Sequence, residues 1–257
     1  MHSPNYASFW IAVLVGIASG SVGPFILLRR MALVGDALSH VALPGIALAL
    51  LYGVDPFYGV IIFLMLAALL VFWLEGSSRI PPDAIVGLLF TASLAVGILI
   101  IPNAEIVESL FGAFPVLSLS FLIVILSSAA VLSLLCFVLA RRFLFRIASL
   151  DLATVHGFGR KYDLALLLIF ALIVGLGIKL VGTLLVGALT IIPAAVAKNV
   201  SRSMRGYVVL SALLGGAISV GGMWMADTFR LLPGPSIVLF GVGLFLLSLV
   251  VGRERTA

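Results

Sequence analysis

The sequence predicts an all-α fold: a polytopic helical membrane protein with about nine transmembrane helices. Of its 257 residues 63% are hydrophobic and only 10% are charged, whereas soluble proteins carry about 25% charged residues. A water-facing surface of ordinary charge density cannot be built from so few charges, which excludes a soluble enzyme. Glycine (26 residues) and proline (11 residues) are frequent, as is usual in transmembrane helices.

Each predicted helix is an apolar run long enough to cross a bilayer, which takes about 20 residues for a hydrocarbon core of ~30 Å. These runs fall at 7–28, 31–53, 56–74, 84–102, 116–140, 163–181, 182–198, 206–226 and 234–251. Spans one and two, and spans six and seven, are so close that one of each pair can be short or tilted, so we expect eight to ten helices. We expect residues 1–257 to form a single transmembrane domain, with a cytoplasmic segment at about 141–161.

The first span also carries a packing signal. Gly16 and Gly20 form a GxxxG motif, and Ser19 and Gly23 repeat the small-xxx-small spacing along the helix. Small residues at this spacing let two membrane helices approach closely. We therefore expect a tight helix contact at Gly16 and Gly20, with no functional specificity attached to it.

The basic residues predict the orientation. With nine alternating spans, Lys179 and Arg230 lie on one side of the membrane and all other Lys and Arg residues lie on the opposite side. Because cytoplasmic loops carry the excess of basic residues, we expect the N-terminus outside and the C-terminus in the cytoplasm. The net charge of +5 therefore indicates membrane topology, and no nucleic-acid partner is expected. The basic residues on the cytoplasmic side are Arg29, Arg30, Arg79, Arg141, Arg142, Arg146, Arg160, Lys161, Lys198, Arg202, Arg205, Arg253 and Arg255.

Asp36 and His40 are the most informative polar residues, because they lie in the second predicted span. A charged side chain at membrane depth costs roughly 2.5–3.5 kcal/mol on insertion scales. Helical i, i+4 spacing brings the two side chains to one face, about 6 Å apart along the axis. Carboxylate and imidazole groups are ligands for Zn²⁺ and Mn²⁺, but two ligands need water, another helix or a second copy to complete the shell. The alternative is an Asp–His pair that neutralises itself, and the spacing does not decide between the two.

A long polar stretch separates the fifth and sixth predicted spans. We expect a short cytoplasmic helix there, with Ser149 as N-cap, Asp151 in the first turn and Gly157 as the C-terminal stop. Leu150 and Ala153 share a face at i, i+3 spacing and form a small hydrophobic ridge. This ridge can dock into a groove of a partner protein or lie on lipid headgroups, and both readings remain open.

Several catalytic motifs do not occur in the chain. The sequence contains no GxxxxGK[ST] phosphate loop, no HExxH and no GxSxG. We therefore expect a protein that does not hydrolyse ATP by itself and draws any energy for transport from a separate subunit or an ion gradient. The single cysteine, Cys136, has no partner for a disulfide bond, and we expect it to serve packing.

The segment from Met31 to Gly45 contains GDxxSHxxLPG and closely resembles the permease subunits of ATP-binding-cassette importers for zinc, manganese and iron. Three other segments resemble the same family in the expected order. They are residues 151–157, the pair VGTLL (from Val181) and IIPAA (from Ile191), and GPSIVL (from Gly234). The N-terminal tail is only a few residues long, so we expect no extra helix before the first span.

The resemblance implies a homodimer of permeases around one pathway in the cell membrane of a prokaryote. It also implies a cytoplasmic ATP-binding subunit and an extracytoplasmic metal-binding solute-binding protein as partners. No resident cofactor is implied, because the transported ion binds only transiently. Asp36 and His40 match the intramembrane polar pair of the family and become candidate metal ligands. Segment 148–157 matches the part that docks on the ATPase, with Leu150, Asp151, Ala153 and Gly157 as its coupling residues.

Other functions compete with this one. A permease for siderophores or cobalamin shares the architecture but needs a wide cavity, and the GDxxSH segment favours bare ions. A secondary transporter would use Asp36 and His40 as a proton relay. A purely structural membrane anchor does not explain an Asp and a His on one face of a membrane helix. Asp plus His suits zinc, manganese and iron alike, and the sequence reading leans only slightly to zinc.

Overall fold

The computed structural model describes residues 6–78, 80–100, 119–149, 153–154, 156–181 and 183–253. Within these ranges the chain forms nine long α-helices and no strand. They are α1 (Tyr6–Leu28), α2 (Val34–Leu51), α3 (Pro56–Ser77), α4 (Pro82–Ile100), α5 (Leu119–Ala148), α6 (Lys161–Val181), α7 (Thr183–Val200), α8 (Met204–Phe229) and α9 (Pro233–Arg253). The predicted all-α fold is confirmed, and each helix overlaps one predicted span.

The helices differ in how much apolar length they offer to a membrane. Seven of those described are long and apolar enough to cross a bilayer, and α4 and α7 contain shorter apolar stretches, Pro82–Gly97 and Val186–Val200. The short seventh span agrees with the crowding between spans six and seven. The fourth predicted span, 84–102, was expected to be of full length. Its residues 101 and 102 lie outside the described part of the chain.

Helix α5 extends further than the sequence reading predicted. It has 30 residues and includes Arg141, Arg142 and Arg146, where we expected the polar segment to begin. Arginine, leucine and alanine are strong helix formers, so the helix continues beyond its apolar part. The buried ring of Phe143 also holds this end, since it packs edge-to-face on Phe25 of α1 at 5.3 Å.

Helices α1, α2 and α6 form the interior of the bundle. α1 packs against α5, α6, α7 and α8, whereas α2 packs against α3, α4, α6 and α7. Helices α3, α4, α5, α8 and α9 direct large apolar side chains outward, as a surface in lipid requires. Examples of these exposed side chains are Trp73, Leu99, Leu134, Trp224 and Leu247.

The predicted GxxxG contact is confirmed, and its partner is α8. A β-carbon on Gly16 would lie only 2.5 Å from the carbonyl oxygen of Gly215, and one on Gly20 would collide with the carbonyl of Ser211. The Ser211 hydroxyl donates a hydrogen bond of 2.6 Å to the Gly20 carbonyl. Only glycine allows the two backbones to approach this closely.

Four charged residues connect the ends of four helices, and we call them the ion cluster. Arg29, just after α1, donates a 2.6 Å hydrogen bond to Glu75 near the end of α3. Arg146 of α5 contacts Asp163 of α6 at 2.9 Å, and Asp163 also lies 3.6 Å from Arg29. The ends of α1, α3 and α5 and the start of α6 therefore share one face, as the alternating spans predicted. That this face is the cytoplasmic one stays a prediction.

Candidate functional site

The candidate site begins at a recessed helix start. After α1 the chain turns at Met31, which is fully buried, and its carbonyl accepts a hydrogen bond from the Val34 N–H at 3.1 Å. Asp36 therefore lies in the first turn of α2, and its side chain is only partly exposed. The Ser39 hydroxyl, fully buried on the same helix, is satisfied by the Gly35 carbonyl at 2.8 Å.

Two glycines bring α7 against the backbone of Asp36. A β-carbon on Gly187 would lie 3.1 Å from the Asp36 amide nitrogen and 3.3 Å from its Cα. On the other helix, a β-carbon on Gly35 would lie 3.2 Å from the Gly187 Cα and 3.3 Å from the ring of Phe170. These close approaches fix the position of Asp36 between α7 and α6.

The neighbours of the pair show its depth in the bundle. Phe170 is nine residues after the start of α6, and Phe90, which contacts His40, is eight residues after the start of α4. At 1.5 Å per residue these positions lie about 12–14 Å from the starts of α6 and α4. The backbone at Gly35, next to Asp36, and the ring of His40 therefore lie beside the middle parts of α6 and α4 and not beside the ends of these helices.

His40 has an uncompensated nitrogen. Its Nδ1 atom is buried, and no described residue forms a hydrogen bond with it. The ring is held edge-to-face against Phe90 of α4, with 5.1 Å between the ring centres. A buried polar atom without a partner costs about 1–3 kcal/mol. The His40 imidazole, held against an aromatic ring and with one unpaired nitrogen, is therefore available to bind a ligand.

Asp36 and His40 do not neutralise each other. Among the described residues, the ion pairs within 4.0 Å all join arginines to Glu75 or Asp163. The reading of Asp36 and His40 as a closed Asp–His ion pair therefore has no contact to support it. Within the part of the chain that the structure describes, no third His, Cys, Asp or Glu joins them to form a metal-binding group.

The second candidate region is the loop after α5. Leu150 and Asp151 lie outside the described residues. Gly157 has φ +77°, and its N–H donates to the Thr154 carbonyl at 3.1 Å while Phe158 N–H donates to the Ala153 carbonyl at 2.7 Å. This pair of bonds is a Schellman motif, so the prediction that Gly157 stops the helix is confirmed.

The predicted hydrophobic ridge is wrong in one respect. Ala153 is fully buried and cannot belong to an exposed ridge. Its neighbours explain the difference, because the loop folds back on the end of α5. The ring of Phe145 packs edge-to-face on His156 at 5.5 Å and on Phe158 at 5.6 Å. Ala153 thus lies in the part of the loop that is attached to the bundle.

Sequence reasoning missed three parts of these regions. Gly187 is one of 26 glycines, and Phe90 is one of many apolar residues, so nothing local marks either as a neighbour of the pair. The carboxylates Glu75 and Asp163 carried a usable signal. They are acidic residues on the side that the basic residues crowd, where a buried ion pair is expected.

Comparison with known proteins assigns the family. The sequence profile of the ABC 3 transport family matches residues 5–252. The chain belongs to the ABC 3 transport family. It is therefore a transport subunit and not itself an enzyme, and its apolar helices make it a multi-pass protein of the cell membrane.

Relatives of this ABC 3 family chain carry informative names. It is 34% identical to the manganese import system permease protein ScaB of Streptococcus gordonii over 95% of this chain and 90% of that protein. It is 30% identical to the high-affinity zinc uptake system membrane protein ZnuB of Haemophilus influenzae over 95% of both chains. Among solved structures it is similar to PsaBC from Streptococcus pneumoniae in complex with Fab. That match has a TM-score of 0.81 and 33% identity, and covers 95% of this chain and 90% of that one.

Proposed function

We propose that this ABC 3 family chain is the permease of an ATP-driven importer for a divalent transition-metal ion. Two copies would form one translocation pathway, with an ATP-binding subunit on the cytoplasmic face and a metal-binding protein outside. The names of the manganese and zinc relatives support the substrate class. The absence of a phosphate loop from the sequence supports a separate ATPase.

The observation that carries the proposal is the unpaired, buried Nδ1 of His40, one helical turn from Asp36. An imidazole nitrogen and a carboxylate on one face are a partial coordination shell for a metal ion. Water or the same pair from the second copy would supply the remaining ligands. A shell with few protein ligands suits a pathway, because an ion that is bound weakly can also leave.

We propose manganese as the transported ion. The sequence alone leaned slightly to zinc, but the manganese-named relative is somewhat more similar to this chain than the zinc-named one, at 34% against 30% identity. One carboxylate with waters is a hard oxygen environment, which Mn²⁺ accepts, while the single imidazole suits both metals. Fe²⁺ is the third ion to be compared in the uptake assay.

In the proposed mechanism, the two permeases rock between outward-open and inward-open states as the ATPase closes and opens. Asp36 and His40 replace part of the water around the ion during passage. The loop after α5 transmits the movement. Gly157 fixes where its helix ends, and Phe145 connects the loop to α5.

The test is uptake of Mn²⁺, Zn²⁺ and Fe²⁺ into proteoliposomes that contain the permease, with and without its ATPase, its binding protein and ATP. The proposal predicts uptake of Mn²⁺ above the other ions, and only when all components and ATP are present. Uptake by the permease alone, abolished by a proton uncoupler, would contradict it and favour a secondary transporter.

A further inference from the structure

A large groove opens between α5 and α8 on the face of the bundle that carries the ion cluster. Its volume is about 770 Å³, and its walls are mostly apolar. α5 and α8 both pack on α1, and Leu28 at the end of α1 also lines the groove. Phe137, Leu144 and Val209 are among the lining residues. Asp36 contacts α7 and His40 contacts α4, and neither lines the groove.

Two arginines are among the residues that line this apolar groove. Arg141 of α5 and Arg205 of α8 both line it, and both are exposed. Among the described residues, the ion pairs within 4.0 Å involve only Arg29 and Arg146, so neither groove arginine has a carboxylate partner there. Two guanidinium groups without a carboxylate partner, beside an apolar groove, are complementary to a ligand with an anionic head and an apolar tail.

The position along the helices fits the boundary of a bilayer. Leu119–Ala140 is an uninterrupted stretch of 22 residues in α5 without a charged residue, about 33 Å long and close to the ~30 Å of a hydrocarbon core. Arg141 follows it directly. On α8, Arg205 is the second residue of the helix and precedes the apolar part. Both guanidinium groups therefore lie at the level of lipid headgroups.

We propose that this groove is a binding site for an anionic phospholipid of the leaflet on the basic side. Arg141 and Arg205 bind the headgroup phosphate, and an acyl chain lies against Phe137 and Val209. Basic pockets between membrane helices on the cytoplasmic side bind anionic headgroups in this way, and arginine matches phosphate geometry with paired donors. The start of α8 adds its positive helix dipole to the same region.

The lipid would also support the loop after α5. Phe145 lines the groove, and the same ring contacts His156 and Phe158 of the loop. Phe145 follows Arg141 by one helical turn, away from the apolar part of α5, so the lipid headgroup in the groove would lie beside this ring. Binding of the lipid itself depends on neither the metal nor the ATPase, so it stands or falls separately from the proposed function.

The test is native mass spectrometry of the full chain in detergent with added phosphatidylglycerol or phosphatidylcholine. We expect wild type to retain phosphatidylglycerol in preference to phosphatidylcholine. Each groove arginine contributes about 1 kcal/mol, or about fivefold in affinity, so Arg141→Gln with Arg205→Gln weakens binding of phosphatidylglycerol about 25-fold. Val209→Trp is an independent variant that fills the groove and lowers retention without removing a charge.

The matched control is Arg142→Gln with Arg202→Gln, which removes the same charge on the same face. Neither residue lines the groove, and Arg142 instead lies 5.8 Å from the ring of Tyr162. The control should bind phosphatidylglycerol as wild type does. Equal losses in both double variants, or no loss in the groove variant and in Val209→Trp, would overturn the proposal. Unchanged lipid binding with loss of the ATPase from the complex would make the groove a protein interface instead.

Discussion

Removing the charge of Asp163 should destabilise the protein more than any other single change in the ion cluster. Asp163 contacts Arg146 at 2.9 Å and lies 3.6 Å from Arg29, and all three side chains are 10–13% exposed. Removing one partner of a buried ion pair costs about 3–5 kcal/mol. Asparagine keeps one hydrogen-bond acceptor, and water reaches this face, so we expect about 3 kcal/mol for Asp163→Asn.

Glu75→Gln provides the internal comparison. Glu75 is 24% exposed, and without its charge Arg29 still faces Asp163. The expected cost is therefore smaller, about 1–2 kcal/mol. For a chain of this size each 1 kcal/mol lowers the melting temperature by about 2–4 °C. Asp163→Asn should melt about 6–12 °C below wild type, and Glu75→Gln about 2–8 °C below it, with the smaller loss in Glu75→Gln when both are measured side by side.

The assay uses Cys136, the only cysteine, which is fully buried in α5. A thiol-reactive fluorescent dye labels it only when the bundle opens, so a temperature ramp in detergent reports unfolding. Asp83→Asn is the matched control, because this aspartate is exposed at the start of α4. A melting temperature for Asp163→Asn within about 2 °C of wild type, or equal to that of Glu75→Gln, would show that the charge of Asp163 does not stabilise the bundle more than that of Glu75.

Two further predictions concern glycines. Gly187→Val would press on the Asp36 backbone, since the first added carbon already lies 3.1 Å from its amide nitrogen. Metal uptake by this variant should fall at least about tenfold. The control variant Gly243→Val, whose added side chain meets open space, should transport normally. Gly157→Ala places a side chain at φ +77°, a strain of about 1–2 kcal/mol, and should weaken ATPase retention in affinity purification. Gly159→Ala, in open space without positive φ, should retain the ATPase fully. Loss of the ATPase from both loop variants, or of uptake from both helix variants, would contradict these predictions.

Features with a local cause were predictable from the sequence. A membrane helix reveals itself by a run of apolar residues, and every predicted span overlaps an observed helix. The contact at Gly16 and the helix stop at Gly157 follow from what glycine alone permits at those positions. The Asp36–His40 pair was visible because ionisable residues are rare at membrane depth.

Features that depend on distant parts of the chain were not predictable. The sequence could not show that α7 presses on Asp36 through Gly187, or that the ring of Phe90 contacts His40. The burial of Ala153 depends on how the loop folds back, which its own i, i+3 pattern does not encode. Helix α5 extends beyond its apolar part, where Phe143 packs on Phe25 of α1, a contact that the local sequence does not encode.

The most direct test of the metal pathway is ATP-dependent Mn²⁺ uptake by proteoliposomes that contain the permease variants with their ATPase and binding protein. Asp36→Asn and His40→Gln each remove one of the two proposed ligands, and Asp83→Asn removes the same charge from an exposed site outside the pair. We expect at least about tenfold slower uptake for the first two variants and near wild-type uptake for the third. Wild-type uptake by Asp36→Asn and His40→Gln would contradict it.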